Sequence, residues 1–461
     1  MVEHGDLLGL LPEDTLADVL RRLVPRDLAT ARCVRKALRD IVDDRRLLLP
    51  HLLPHKVGGI FINFHSKGFW ELFSRPSAGP VVSGWFHFVP GGTENVFKPP
   101  PLDHCKGLFL FNGKYVFNPA TRKYACLPPR PPPVMTKQYF YEDPYLLYDP
   151  AVSPHYEVFL IHRIAYKSEP RCTSYRADRD ALDPAIEKLE WPPSPYVLHV
   201  FSSKTAKWEQ RSYLREGEGA GTVADVRFNS LFYEKRYAIY LRGELYFHCE
   251  ADFVMRISLL NNKFQVIKPP KDNEVSLFNG LYLGRSKTGI QCAKVDNSGH
   301  PCRLRIWILK DLRGQMEWLL MHQANIGPML PRHEYNQPIG GSWMLQDLNY
   351  YEIQHKYYGK KETIAVPEKF EWESDNDDVL ETGDRVYDGC KHITFLGFHP
   401  YKDVVFLAES SRRGLAYHWN SSKIQLLGNI YPKEPCIGQF PPISETFLYT
   451  PCWMEELPLS N

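Results

Sequence analysis

Phe117-Asn-Pro-Ala-Thr-Arg-Lys-Tyr124 is the phrase from which the architecture of this chain is read. Two aromatic residues enclose a polar run with a proline, and turn formers between apolar residues predict a strand, a reversal and a second strand. The phrase recurs as Phe201-Ser-Ser-Lys-Thr-Ala-Lys-Trp208, Ile257-Ser-Leu-Leu-Asn-Asn-Lys-Phe264 and His418-Trp-Asn-Ser-Ser-Lys-Ile424. Looser copies run from Phe61 to Trp70 and from Arg305 to Trp318. Further hairpins are expected upstream of two copies, at Asn112-Gly113 and at Gly243.

The copies begin near 61, 117, 201, 257, 306 and 418, so the unit is about 50 residues long with two insertions. That period fits a four-stranded blade. One blade cannot bury both faces alone, so blades stack around an axis and close into a ring. The expected fold is therefore mainly β, a β-propeller over residues 57–455, with six blades and seven as the alternative. The strand near Ile60 to Phe64 is expected to close the ring with the C-terminal blade. The insertions lie near 167–195 and 327–389. The second carries Glu371, Glu373, Asp375, Asp377 and Asp378, read as a solvated acidic loop with a docking patch for a basic client segment as the functional reading.

Ahead of the repeats, Leu11 to Leu49 has another texture. Leu16, Val19, Leu20 and Leu23 fall at the i, i+3, i+4, i+7 spacing of one helical face. Asp14 or Thr15 is expected to cap this helix, and Val24-Pro25 to end it. Two more short helices follow from the spacing of Leu28, Ala31, Val34, Leu38 and Ile41. So small a unit normally leaves apolar surface for a partner.

This stretch resembles an F-box, the helical motif that docks on the Skp-type adaptor of Skp–cullin–F-box ubiquitin ligases. The resemblance rests on Leu11-Pro12 with Asp14, the Leu16/Val19/Leu20/Leu23 face, Pro25 with Asp27-Leu28, and Arg32-Cys33-Val34-Arg35-Lys36. It departs at Leu38, where the family usually carries tryptophan. The repeat region resembles the kelch-like F-box-associated domain of plant F-box proteins, above all the large grass families, through His392-Ile-Thr-Phe-Leu-Gly-Phe-His-Pro-Tyr-Lys-Asp403 and Ala416-Tyr-His-Trp-Asn-Ser-Ser-Lys423. The resemblance implies a three-helix F-box at residues 7–50, a linker at 51–56 and then the propeller. It also implies a substrate receptor without catalytic residues, binding the adaptor, through it a cullin–RING ligase, and an unidentified client protein. The adaptor-facing candidates are Leu11, Pro12, Leu16, Val19, Leu20, Leu23, Leu28, Val34 and Leu38, some of which must also hold the helices together.

Composition narrows the alternatives. The 56 Lys and Arg balance 54 Asp and Glu, so no overall field favours nucleic acid or an anionic membrane. There is no run of 18 apolar residues and no basic, apolar leader, so the reading is an intracellular protein of cytoplasm or nucleus. The 10 cysteines form no C-x-x-C pair and read as buried reduced thiols. No P-loop, nucleophile elbow or H-E-x-x-H is present, and no cofactor or metal is expected. Two other functions stay open at this level: a propeller acting as a sugar- or metal-binding or enzymatic module, and an F-box scaffold working outside a cullin ligase.

Overall fold

The computed structural model describes residues 11–23, 25–64, 70–75, 82, 84, 86, 88–90, 101–135, 140–164, 183–228, 237–271, 281–297, 302–330, 341–346, 392–430, 443–454 and 457–458. Short helices α1 (Glu13–Leu20), α2 (Pro25–Val34), α3 (Lys36–Asp44) and α4 (Leu49–Leu52) precede a region that is mainly strand. Pro50 sits in the first turn of α4, where a missing backbone donor is tolerated. One helical turn therefore runs into the stretch read as a linker.

Of the 26 described strands, 24 fall into six four-stranded groups. The first in sequence is Pro101–Cys105, Leu108–Phe111, Tyr115–Asn118 and Lys123–Cys126, each antiparallel to the next. Phe140–Leu147, Glu157–Ile164, Tyr196–Ser202 and Lys207–Glu216 form the second, and Ala238–Leu241, Glu244–His248, Val254–Ser258 and Lys263–Ile267 the third. The fourth is Tyr282–Ser286, Gly289–Asp296, Arg303–Leu312 and Gln315–Asn325. The fifth is Ile393–Phe398, Val404–Glu409, Arg413–His418 and Lys423–Asn429. The last is assembled from both ends of the chain: Ile443–Tyr449, Gly59–Phe64, Trp70–Ser74 and Trp343–Leu345.

Two pairs of groups fuse at their outer strands into eight-stranded sheets, through parallel pairing of Leu214–Glu216 with Lys263–Gln265 and of Trp343–Met344 with Gly428–Asn429. The first strands are also neighbours. Pro101–Cys105 packs beside Phe140–Leu147 and Ala238–Leu241, Ala238–Leu241 beside Tyr282–Ser286, and Ile393–Phe398 beside both Tyr282–Ser286 and Ile443–Tyr449. Strands covered on both faces read as unbroken apolar runs. Val404–Glu409 is buried at every residue, whereas on the outer strands Leu214 and Leu320 are more than half exposed.

The repeated phrase is a hairpin joining the third and fourth strands of a group. Four copies share one loop of four residues, between the paired positions Asn118 and Lys123, Ser202 and Lys207, Ser258 and Lys263, and His418 and Lys423. Each loop ends on a left-handed residue, Arg122, Ala206, Asn262 or Ser422, with φ of 54–56°. That residue turns the backbone so that the following lysine starts the next strand. The looser copy at Arg305 to Trp318 makes the same connection through a two-residue turn, Arg313-Gly314. The copy at Phe61 to Trp70 instead joins the second and third strands of its group, and residues 65–69 lie outside the described set.

Both insertions contain ordered structure where a loop was expected. In the first, Asp183 caps a helical turn, Pro184–Glu187, and Glu190–Trp191 pairs with Gly221–Thr222. Trp191 is buried and stacks on Phe140, with centroids 5.4 Å apart. In the second, Trp343–Leu345 supplies the fourth strand of the last group. The acidic residues Glu371, Glu373, Asp375, Asp377 and Asp378 lie outside the described residues. Of the described cysteines, Cys105, Cys249, Cys292, Cys302 and Cys452 are buried, but Cys33 and Cys126 are exposed, contrary to the expectation of burial throughout.

Two outcomes follow from this packing. Phe447 stacks on Trp70 at 4.9 Å and meets the His104 ring at 4.5 Å, so Phe447→Ala should lower the denaturant stability by about 3–5 kcal/mol. His399 is 4% exposed, and its Nδ1 accepts the Tyr401 N–H at 3.1 Å. Burial, with Lys402 and His418 nearby, pushes its pKa down to about 4. The unfolded chain takes up the proton below about pH 6.5 and the folded chain only near 4. The corresponding stability is full above 6.5 and lost as pH falls through that window, up to about 3 kcal/mol. Denaturant midpoints measured from pH 7.5 to 4 should show a shallower loss for His399→Gln than for the natural chain.

Candidate functional site

The helical segment has a core of its own. Leu16, Ala17 and Leu20 of α1, Leu28 of α2 and Leu38, Ile41 and Val42 of α3 pack with Leu47, and Leu23, Ala31 and Leu48 are partly buried against them. Helix α1 begins at Glu13 with Pro12 at the cap position and no side-chain cap bond. Asp14 and Thr15 therefore lie inside the first turn and cap nothing. Asp14 instead meets Arg45 at 2.7 Å, tying the start of α1 to the end of α3. Negative charge in a first turn also suits the helix dipole. A second tie is bidentate: Arg32 Nε and Nη2 donate to the two Asp43 oxygens at 2.7 and 2.9 Å, and the guanidinium holds this carboxyl below its ordinary pKa. Both pairs are solvent-exposed, so they fix geometry more than they stabilise. Between α2 and α3 a single extended residue, Arg35 (φ −145°, ψ 147°), separates the two helices.

The burial sorts the apolar candidates into two sets. Leu20, Leu28 and Leu38 are at most 8% exposed and hold the helices together, with Leu16 at 9% on the rim. Leu23 is half-buried. Leu11, Val19 and Val34 stand out at 42, 50 and 68% exposure, and Pro12 is also exposed. A shallow groove between the start of α1 and α3 is lined by Leu11, Leu16, Leu38 and Ile41 together with Lys36 and Asp40. The segment thus completes its own core and still presents apolar side chains to solvent, which a helical hairpin serving only as a cap would not need.

Residues 8–49 match the F-box domain. Over 124 residues the chain is also 28% identical to an Arabidopsis thaliana protein described as an F-box protein, a match covering 26% of this chain and 33% of that relative. The chain therefore spans about a third of the length of that relative.

The F-box segment is seated on the strands through α4 and the residues after it. Trp453 N–H donates to the Leu52 carbonyl at 2.9 Å, and Gly58 N–H to the Tyr449 carbonyl at 2.8 Å. The Tyr401 hydroxyl donates to the carbonyl of Pro54, which is buried, and the Tyr401 ring meets His55 edge-on at 6.4 Å. These joint residues escaped sequence reasoning because their partners lie hundreds of positions away and carry no local signal. The ties Asp14–Arg45 and Arg32–Asp43 escaped it too, although charges spaced along two adjacent helices are a visible cue.

The strand histidines His162, His199, His248 and His322 each have a structural partner. His162 Nε2 lies 2.9 Å from the Val197 carbonyl, His199 Nε2 3.1 Å from Gln210, His248 Nε2 2.9 Å from Asp252 and His322 Nε2 2.9 Å from the Tyr417 hydroxyl. Among the described residues, no group of three or more His, Cys, Asp and Glu side chains is placed to hold a metal ion, and no helix is long and apolar enough to cross a membrane.

The two sets make a testable contrast in stability. Leu20→Asp should unfold the helical segment, because an unpaired buried charge costs several kcal/mol. Val19→Asp, one residue away on the exposed side, should change its stability by less than about 0.5 kcal/mol. Far-ultraviolet circular dichroism and limited proteolysis of the two variants would read this directly.

Proposed function

We propose that this chain is the substrate receptor of a Skp–cullin–F-box ubiquitin ligase. The observation that carries the reading is the coincidence of the F-box match with a helical segment whose core is complete and whose Leu11, Pro12, Val19 and Val34 are left outside it. On this reading the exposed set, with Leu16 and Leu38 at the groove, is the face that meets the Skp-type adaptor and through it a cullin–RING ligase. Leu20, Leu23 and Leu28 support that face from behind.

The strand region is proposed to be a six-bladed, kelch-like propeller of the plant and grass type. Six four-stranded groups, neighbouring first strands and the pairing of Gly59–Phe64 with Ile443–Tyr449 all support it. The propeller would hold the client, with the acidic stretch Glu371, Glu373, Asp375, Asp377 and Asp378 as a docking patch for a basic segment. No bond is made or broken by such a receptor. Its contribution is proximity: a client held beside a carried ubiquitin reacts at a raised effective concentration. Hydrogen bonds at Leu52, Pro54 and Gly58 favour a fixed angle between the two parts, which serves that task better than a loose tether.

The test is capture of a purified plant Skp-type adaptor by the full-length protein. Binding is expected for the natural chain, with a loss of at least tenfold for Val34→Asp, since a charge desolvated at an apolar interface is left unpaired. The melting curve of Val34→Asp should match that of the natural chain. Undiminished capture by Val34→Asp, or no capture by the natural chain, would overturn the assignment.

A further inference from the structure

Strands from five of the six groups converge on a cavity of about 140 Å³. Pro101–Cys105, Ala238–Leu241, Tyr282–Ser286, Ile393–Phe398 and Ile443–Tyr449 each contribute lining residues. Its walls are aromatic: Tyr282 lies 4.7 Å from Phe395, and Phe395 5.0 Å from Phe398, ring centre to ring centre. Gly284 lets the last ring approach the backbone, since a Cβ there would stand 2.1 Å from the Phe398 ring. A cavity of roughly 150 Å³ accommodates one benzene ring, so the space suits a single planar ring.

Charge is distributed unevenly along it. Lys106 and Arg285 line the cavity near Asp103 and Cys105. Lys106 is paired with Asp149, while the Arg285 guanidinium lies over the Tyr401 ring, 5.3 Å from its centre. Asp103, 4% exposed, accepts the Leu146 N–H at 2.7 Å, and burial raises its pKa to about 8, so it adds little negative charge at neutral pH. Two cations therefore face one ionised carboxylate at this end. Elsewhere on the wall Tyr237 lies within the electrostatic reach of Glu445. A ligand with an apolar ring and one negative group would be oriented by this asymmetry.

We propose that this cavity binds a small planar organic anion, its ring against Tyr282, Phe395 and Phe398 and its negative group toward Arg285 and Lys106. Such a ligand would sit next to Tyr401, whose hydroxyl holds the Pro54 carbonyl at the joint with the F-box segment. This binding function is independent of adaptor docking.

The probe is sodium benzoate, titrated calorimetrically into the full-length protein, with phenol, benzylamine and inorganic phosphate as comparisons. One saturable benzoate site is expected, at least tenfold weaker for phenol and phosphate and absent for benzylamine. Arg285→Gln should weaken benzoate at least tenfold, and Ala238→Leu, which fills the cavity, should abolish it; thermal melting of each variant checks its fold. If Ala238→Leu fails to fold, Arg285→Gln and Lys106→Gln decide. Absence of benzoate binding, equal binding of benzylamine or phosphate, or undiminished binding by folded Arg285→Gln would overturn the proposal.

Discussion

The pairing of Gly59–Phe64 with Ile443–Tyr449 is the constraint on which the remaining structure depends. It joins segments separated by nearly the whole strand region, in a register running from Gly59 opposite Tyr449 to Asn63 opposite Glu445. Closing so long a loop is entropically costly, and the apolar surface gathered at the seam offsets it. Phe61 meets Tyr449 and Phe109 edge-on at 5.3 and 5.0 Å, and Trp70 stacks on Phe447. Each strand also covers an edge that the other would leave open, an arrangement that guards against pairing with other chains.

The same seam carries the F-box segment. Chain continuity takes Gly59 back through Gly58, Pro54 and Leu52, and these three are hydrogen-bonded in turn to the strand residue Tyr449, to Tyr401 in the turn between two strands, and to Trp453 in the C-terminal stretch. The Cys452 carbonyl accepts the Asn118 side chain at 2.8 Å, so this stretch is held from both sides. A helical unit of about forty residues is marginal alone. Here it has a small core, exposed ion pairs and a rigid seat, and it can leave Val19 and Val34 in water without depending on them for stability.

Much of this was legible because the signals are local. The hairpin phrase depends on a polar loop and the lysine that follows it, and Lys123, Lys207, Lys263 and Lys423 all open a strand. The three- and four-residue spacing of Leu16, Val19, Leu20 and Leu23, and then of Leu28, Ala31, Val34, Leu38 and Ile41, likewise placed three helices. Spacing could not say which side of α1 faces inward: Val19 and Leu20 differ by one helical step of 100°, and both belong to the same apolar stripe. Nor could it foresee Trp343–Leu345, three residues whose strand exists only because Phe73 and Gly428 lie on either side. The seat at Leu52 and Pro54 is a tertiary effect, settled by contacts that no window of sequence contains.

Hydrogen exchange of the full-length protein, with and without a saturating plant Skp-type adaptor, bears most directly on the claim that a helical segment with a completed core offers its outer face to a partner. New protection should appear in the amides of residues 11–19 and 33–38, with exchange in Gly59–Phe64 and Ile443–Tyr449 unchanged. Protection appearing instead on the strand groups, or none anywhere, would contradict the account.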